Sequence, residues 1–276
     1  MRADFLPVYF MKSNYLPEER RQHINEILIR EGKVAVPDLA QRLGTSVDTI
    51  RRDLKDLEKS GLLTRVHGGA LPRSPAANSY HTRQTQNRSA KQAIAIEAGK
   101  LIQPNQIVFM DGGTTALEVA RHLPIDLEIT IVTVSPPVIV AVSQYPYINA
   151  IMLGGTLDSA SMTVVGGNTI DALSRMRADV CVLGVCSLHA ELGLTTPRYE
   201  EARIKTQMIN NSAEVIAVTT SDKFGTAAPF FVSNIEDVTH IVTEHSVTDE
   251  QVAPFVEAGI QVVRAKNEPY LNLNFR

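Results

Sequence analysis

From Ile107 onward, short apolar runs recur with stretches of helical length between them, and this alternation constrains the fold more than any other feature. The runs are IVFM (107–110), ITIVT (129–133), INAIML (148–153), VCVLGV (180–185), VIAVT (215–219), HIVT (240–243) and IQVV (260–263). Amphipathic stretches fall at 115–123, 136–144, 167–176, 199–212 and 249–258, and another at 91–102 precedes the first run. Short runs rich in β-branched residues, without polar alternation, suit strands buried on both faces. Strands that alternate with helices build a mostly parallel sheet. Residues 91–276 are therefore expected to form an α/β domain, mostly parallel and Rossmann-like.

Ahead of it the pattern differs. Residues 1–15 show neither a helical nor a strand period and are expected to form a flexible arm. Pro17-Glu18-Glu19 reads as a first helical turn, with Ile24, Ile27 and Leu28 as its apolar stripe. A second helix is expected over about 37–43, with Leu39, Ala40 and Leu43 inward. Gly44 makes a turn, and TSVD (45–48) offers a capping box: Thr45 or Ser46 starts the third helix and Asp48 reaches back. Ile50, Leu54 and Leu57 give that helix a buried face, and Gly61 ends it. LLTRVHGGA (62–70) then reads as a strand turning at Gly68-Gly69. Three short helices, a tight turn, a strand and a glycine turn make a winged helix-turn-helix over 16–72. Residues 73–90, rich in Pro, Ser, Asn, Thr and Gln, are expected to be a linker. No internal repeat or low-complexity tract is visible.

A chain of 276 residues suits two domains. Its formal net charge is −3, but 16–73 carries 11 Lys and Arg against 9 Asp and Glu, while 74–276 carries 14 against 20. A basic segment on an acidic remainder suggests that only the first part meets a polyanion. Arg51, Arg52 and Lys55 lie off the Ile50/Leu54/Leu57 face, where arginine can pair with guanine or grip a phosphate. Arg65, His67 and Gly68 on the wing can approach the backbone or the minor groove. Thr45, Ser46 and Thr49 at the helix start complete the candidate DNA surface. Taken singly, each charge also fits a solvated surface, with Arg52 paired to Asp48 or Asp56 and Lys55 to Glu58. No run reaches the ~18 residues of a membrane span. The first residues, with Asp4 and Pro7, do not read as a secretory signal. Cys181 and Cys186 share one apolar segment, as expected of buried reduced thiols, and the expected compartment is the cytoplasm.

In VFMDGGTT (108–115), Asp111 stands at a strand's end, Gly112 and Gly113 form the turn, and Thr114 and Thr115 open the next helix. Ligands of parallel sheets bind beyond the strands' carboxyl ends, and helix amino termini favour anions. The same logic marks Thr133 and Ser135 after the second strand, and Gly154 and Gly155 after the third. Three such turns can converge on one pocket, with Lys223 of DKFG as a cation; each is also compatible with a plain tight turn.

VAVPDLAQRLGTSVDTIRRD (34–53), extended by LKDLEKSGLLTRVHGGA, resembles the DNA-reading module of DeoR-type bacterial transcriptional regulators. The resemblance continues through VFMDGGTT, VTVS, LGGTL, EEARIKTQMI and DKFG, and so spans about 18–263. It implies a repressor, usually of a carbohydrate catabolic operon, whose second domain is similar in fold to sugar-phosphate isomerases and senses a phosphorylated sugar. It also implies double-stranded operator DNA and a small-molecule effector as partners, a homo-oligomer (dimer or tetramer) and no cofactor. Asp111 to Thr115, Thr133, Ser135, Gly154, Gly155 and Lys223 match positions around the family's sugar-phosphate site. Glu201 and Lys205 match a recurrent pair, which by spacing is also an i, i+4 salt bridge. Val134, Asp158, Cys186 and Thr220 depart from the family's Asn, Arg, Asp and Asp. A carboxylate at 158 should weaken attraction to a phosphate if that loop lines the pocket. The rival readings are a regulator that responds to a non-phosphorylated ligand, an architectural or interaction protein with no small-molecule input, and an isomerase-like enzyme carrying a DNA-binding module. Catalysis needs a base and a proton-shuttling acid; Asp111 can be the first, but Cys186 and Thr220 remove two candidate partners. None of the seven histidines stands at metal-ligand spacing. The expectation is a regulator, not an enzyme.

Overall fold

A computed structural model describes residues 15–266, so all but the last residue of the expected arm lies outside the described residues. The chain divides into two compact units, with the boundary between Arg73 and Ser74.

The first unit runs α1 (Pro17–Glu31), β1 (Val34–Ala35), α2 (Val36–Arg42), α3 (Val47–Lys59), β2 (Leu63–Val66) and β3 (Gly69–Pro72). Pro17, Glu18 and Glu19 do open α1, and Gly32, left-handed at φ +70°, closes it with its N–H on Leu28 O. Ile24 and Leu28 of α1, Leu39 of α2, Ile50, Leu54 and Leu57 of α3 and Leu63 of β2 form one core. Each such side chain contributes about 1.5–3 kcal/mol of transfer free energy. The strands pair antiparallel in the order β1-β3-β2. A Cβ on Gly69 would lie 2.1 Å from Val34 O, so only glycine permits β3 to meet β1. Ser46, not Thr45, caps α3 by accepting from Thr49 N at 3.1 Å. The capping box expected of Asp48 does not form: with Ser46 as cap, the third helical position is Thr49, and Asp48 turns outward to Arg51.

In the second unit, α4 (Tyr80–Thr85) and α5 (Arg88–Gly99) lead into β4 (Ile107–Met110), α6 (Thr114–Arg121), β5 (Ile129–Thr133), α7 (Pro136–Val142) and β6 (Ile148–Met152). A hairpin of β7 (Thr156–Asp158) and β8 (Thr163–Val165) precedes α8 (Gly167–Ser174) and β9 (Ala178–Gly184). Then come β10 (Ser187–His189), β11 (Gly193–Thr196), α9 (Tyr199–Asn210), β12 (Ser212–Val218), β13 (Phe230–Ser233), β14 (His240–Glu244), α10 (Asp249–Glu257) and β15 (Gln261–Ala265). The seven apolar runs all become strands of one sheet, ordered β15-β14-β12-β9-β4-β5-β6 and parallel throughout. Alternate residues face opposite layers: Val108 and Met110 pack under α5 and α6, while Phe109 packs with Leu183, Ala217 and Met208 of α9. The chain lays β5 and β6 on one side of β4, then crosses back to build β9, β12, β14 and β15 on the other. The order therefore reverses between β4 and β9. A small antiparallel sheet, β10-β11-β13, lies outside this frame and was not expected from the sequence.

The segment expected as a linker, 73–90, belongs instead to the second unit almost entirely. Pro75–Ala77 form a 3-10 turn, Ser74 Oγ donates to Cys186 O at 2.5 Å, and Tyr80 is buried in the layer of α5 and α6. Its polar composition reflects helix caps rather than slack: Ser74 and Ser79 each accept from a backbone N–H at a helix start. Among the described residues, no helix is long and apolar enough to cross a membrane.

Candidate nucleic-acid interface and ligand cavity

In the first unit, α3 divides its surface cleanly. Ile50, Leu54 and Leu57 face the core, and Asp53, also buried, receives Arg20 Nε at 2.5 Å and Nη2 at 3.2 Å, which locks α3 to α1. The opposite side exposes Arg51, Arg52, Lys55 and Lys59. Arg51 pairs with Asp48 at 3.1 Å, both mostly exposed, a contact worth little in water. Neither pairing considered for Arg52 and Lys55 is present: Asp56 faces Arg21 and Glu58 faces Arg65. Both cations stand in solvent beside one another. Arg65 clamps the wing onto α3, its N and Nε donating to the two Glu58 oxygens at 3.0 and 2.8 Å. Burial works against the Glu58 carboxylate, yet these donors hold it below the usual range. Arg65 is thus committed to the protein as a strut, whereas His67 and Gly68 are exposed at the wing tip. Thr45 and Thr49 are half-buried at the start of α3, and Ser46 is exposed.

In the second unit a cavity opens where the strand order reverses, beyond the carboxyl ends of β4 and β9. Gly112, Gly113, Thr114 and Thr115 line it from the first, and Gly184, Val185 and Cys186 from the second. The two ends approach so closely that a Cβ on Gly184 would lie 2.6 Å from Gly112 O. Gly113 is the N-cap of α6 and no side chain caps that helix, so its amino-terminal N–H groups face the cavity. Opposite stand Arg83 and Lys91, from α4 and α5, and Lys223, following β12. Lys91 donates to Arg83 O and to Gln86 O, the latter at 2.7 Å. Burial, then Lys223 and Arg83, lower its pKa to about 8. Burial likewise lowers Lys223, against the pull of Asp222 at 3.4 Å. These cations lack sufficient countercharge, and an anion among them would supply it.

The floor is different. Lys205 of α9 donates to Asp111 and, at 2.8 Å, to Gly184 O, and lies 3.5 Å from Glu201. Burial opposes its charge, but Asp111 and Glu201 outweigh that and hold its pKa above the ordinary lysine value. One ammonium thereby ties the ends of β4 and β9 together. Cys186 donates to Glu201 Oε1 at 3.4 Å, and burial beside that carboxylate pushes its thiol up to about 11.

Of the residues predicted for a ligand site, Gly112 to Thr115 and Lys223 line the cavity, and Asp111 lies beneath it, 1% exposed. Thr133, Ser135, Gly154 and Gly155 do not line it. Thr133 Oγ1 accepts from Ser135 N, and Thr169 Oγ1 donates to Gly154 O, so these turns brace the β5 side of the sheet. The physical reason is the reversal: the crevice opens between β4 and β9, not between β4 and β5. The four departures also resolve. Val134 is core, and Cys186 and Thr220 line the cavity, where Thr220 donates to Asp222 at 2.5 Å. Asp158 does not line it; it pairs with Arg198 at 3.3 Å, so the weakening expected from a carboxylate there has no basis. Sequence reasoning missed Arg83, Lys91 and Ser161, among others, as lining residues. The first two sat in or beside the presumed linker, and with Arg73 and Arg88 they are scattered cations in an otherwise polar tract. Among the described residues, no group of three or more His, Cys, Asp and Glu could hold a metal ion.

Comparison with known proteins agrees with both halves. Residues 20–75 match the DeoR-like helix-turn-helix domain, and 86–245 match the DeoR C terminal sensor domain. The HTH-type transcriptional regulator GlpR of Haloferax volcanii is 35% identical over 90% of this chain and 98% of its own. The glycerol-3-phosphate regulon repressor of Escherichia coli K12 is 31% identical over 82% and 90%. Among solved structures, ribose 5-phosphate isomerase A of Methanocaldococcus jannaschii overlaps 50% of this chain and 55% of its own, at 18% identity and TM-score 0.36, a likeness that carries no weight for function. The relatives are regulators rather than enzymes, and their similarity runs through the winged helices and the cavity alike: the chain belongs to the DeoR family of DNA-binding transcriptional regulators.

Proposed function

We propose that this protein represses a carbohydrate catabolic operon and that a phosphorylated sugar, bound in the β4/β9 cavity, sets its affinity for operator DNA. The observation that carries the reading is the convergence of Arg83, Lys91 and Lys223 on the uncapped start of α6. Backbone N–H groups at a helix amino terminus and flanking cations are the means by which proteins hold phosphate. Relatives support the biological side: their names include a glycerol-3-phosphate regulon repressor and a putative aga operon transcriptional repressor, both from Escherichia coli. A homo-oligomer would present paired winged helices to two half-sites, as helix-turn-helix proteins commonly do. The effector must bind the DNA-competent and DNA-incompetent states unequally, because only differential affinity shifts an equilibrium. Four lining residues, Arg83, Gln86, Asn87 and Lys91, come from the stretch of second-unit sequence nearest the winged unit.

The test has two steps. Genomic DNA selected on the full-length protein identifies the operator and, from its neighbouring genes, the pathway. Titration of that operator complex with the pathway's phosphorylated and unphosphorylated sugars then reads the effector directly. A change in operator affinity with the phosphorylated compound alone is expected. A response to the free sugar alone, or to neither, would refute the reading.

A further inference from the structure

The floor of the cavity contains a buried polar atom without a hydrogen-bond partner. Glu201 is 7% exposed and lines the cavity, and its Oε2 accepts no hydrogen bond. Its other oxygen is occupied by Cys186 at 3.4 Å and lies 3.5 Å from Lys205. Arg198 Nη1 stands 3.9 Å from Oε2, beyond hydrogen-bond reach. A buried carboxylate oxygen left unpaired is costly, and native proteins satisfy the great majority of such atoms. Cys186 does not remedy this: its single S–H is spent on Oε1, and its sulfur accepts from Thr196 Oγ1 at 3.5 Å.

The charges at the two ends of the cavity differ. Arg83, Lys91 and Lys223 face Asp222 at one end, whereas Asp111 and Glu201 face Lys205 at the other. The first end has an excess of positive charge and donors; the second has an excess of negative charge and a free acceptor. A molecule complementary to both carries an anion at one end and an uncharged hydrogen-bond donor at the other.

Resting on the phosphate reading above, we infer that Glu201 Oε2 accepts a hydrogen bond from a hydroxyl of the effector, and that this floor selects polyol and sugar phosphates against phosphorylated acids. A hydroxyl satisfies Oε2 without adding charge. A carboxylate placed there adds a third negative charge to those of Glu201 and Asp111, against Lys205 and an Arg198 that Asp158 already engages at 3.3 Å, and has no proton to give. Glu201 is therefore a specificity-determining residue, acting at the end of the ligand remote from its phosphate.

The experiment titrates the full-length protein, by calorimetry, with inorganic phosphate and with matched pairs: glucose 6-phosphate against 6-phosphogluconate, and glycerol 3-phosphate against 3-phosphoglycerate. At least one hydroxylated member should bind tenfold or more tighter than both inorganic phosphate and its acid counterpart, as expected when a buried acceptor is satisfied in one complex and not the other (about tenfold or more). Glu201→Gln should reduce that preference below about threefold and should not weaken inorganic phosphate, because an amide nitrogen replaces the acceptor and the cavity loses a negative charge. Acids that bind as tightly as their hydroxylated partners, or a preference unchanged in E201Q, would overturn the assignment. Binding of inorganic phosphate with no gain from any sugar phosphate would overturn it alone, leaving the anion site standing. Failure of every phosphate to bind would remove both. If E201Q loses operator binding and its melting transition, the wild-type preferences decide the matter by themselves.

Discussion

Replacing Lys205 with Met removes the one cation that ties β4 to β9, and its consequences can be worked out closely. Asp111 is 1% exposed and Lys205 3%, so solvent cannot replace the lost ammonium. Asp111 and Glu201 remain, two carboxylates that had shared it, and Gly184 O loses its 2.8 Å donor. Removing one member of a buried pair costs about 3–5 kcal/mol, because the surviving charge is left uncompensated. For a unit of this size each kcal/mol lowers Tm by about 2–4 °C, so the second unit should melt roughly 6–20 °C lower at pH 8. The pH dependence carries a sign that a mere packing defect lacks. Burial pushes the Asp111 carboxyl up, Glu201 adds to that, and Lys205 is what opposes it. Without Lys205 the folded state binds a proton more readily than the unfolded state. A group raised in this way gives stability that is present at low pH and lost as pH rises through its folded pKa. The deficit of K205M should therefore shrink between pH 8 and pH 5, and Asp111→Asn in the same chain should recover part of it at pH 8. Differential scanning calorimetry at the two pH values reads both. A shift below about 3 °C, or the same deficit at both pH values, would refute the ion-pair account.

Changing Arg51 and Arg52 to Ala should abolish specific operator binding in a gel-shift assay. Melting of the winged unit should stay nearly unchanged, because exposed substitutions of this kind usually alter stability by no more than about 0.5 kcal/mol. An anionic effector bound as proposed should have a pH-dependent affinity: with the Lys91 pKa near 8, its binding should weaken above that value, approaching about tenfold per pH unit, and Lys91→Met should flatten the profile. The same group acts oppositely on the free protein, whose stability should rise between pH 8 and 10.5 because there the unfolded chain holds the extra proton.

The sheet was legible because buried parallel strands are written as unbroken apolar runs, and all seven were found within three residues of their ends. The winged unit was legible because caps, turn and stripe agree over Pro17 to Pro72. Half of the cavity was legible in VFMDGGTT, since Gly-Gly between a strand and a helix advertises a close backbone approach. The other half was not. Gly184-Val185-Cys186 is an apolar stretch without polar residues, and its place beside Gly112 depends on β9 pairing with β4 rather than with β6. Strand order is a property of the whole chain, and no local pattern near Gly184 encodes it. Arg83 and Lys91 were hidden for another reason: the Ser and Asn residues that suggested a loose linker are cap residues of short helices, and composition alone does not separate the two.

The pairing of β4 also sets a timetable. Val108 has Ile131 on one flank and Val180 on the other, and the second partner is translated long after the first. At about 5–20 residues per second, ribosomes leave that flank of β4 bare for roughly 4–14 s, an uncharged edge open to any other strand. The winged unit needs no such wait, because its helices and hairpin contact near neighbours and precede the sheet in the chain. A nascent polypeptide thus acquires its DNA-reading surface first. Gly184, Glu201 and Lys205, which complete the cavity, come later, so a chain halted before Lys205 would carry a finished winged unit with nothing to make it respond.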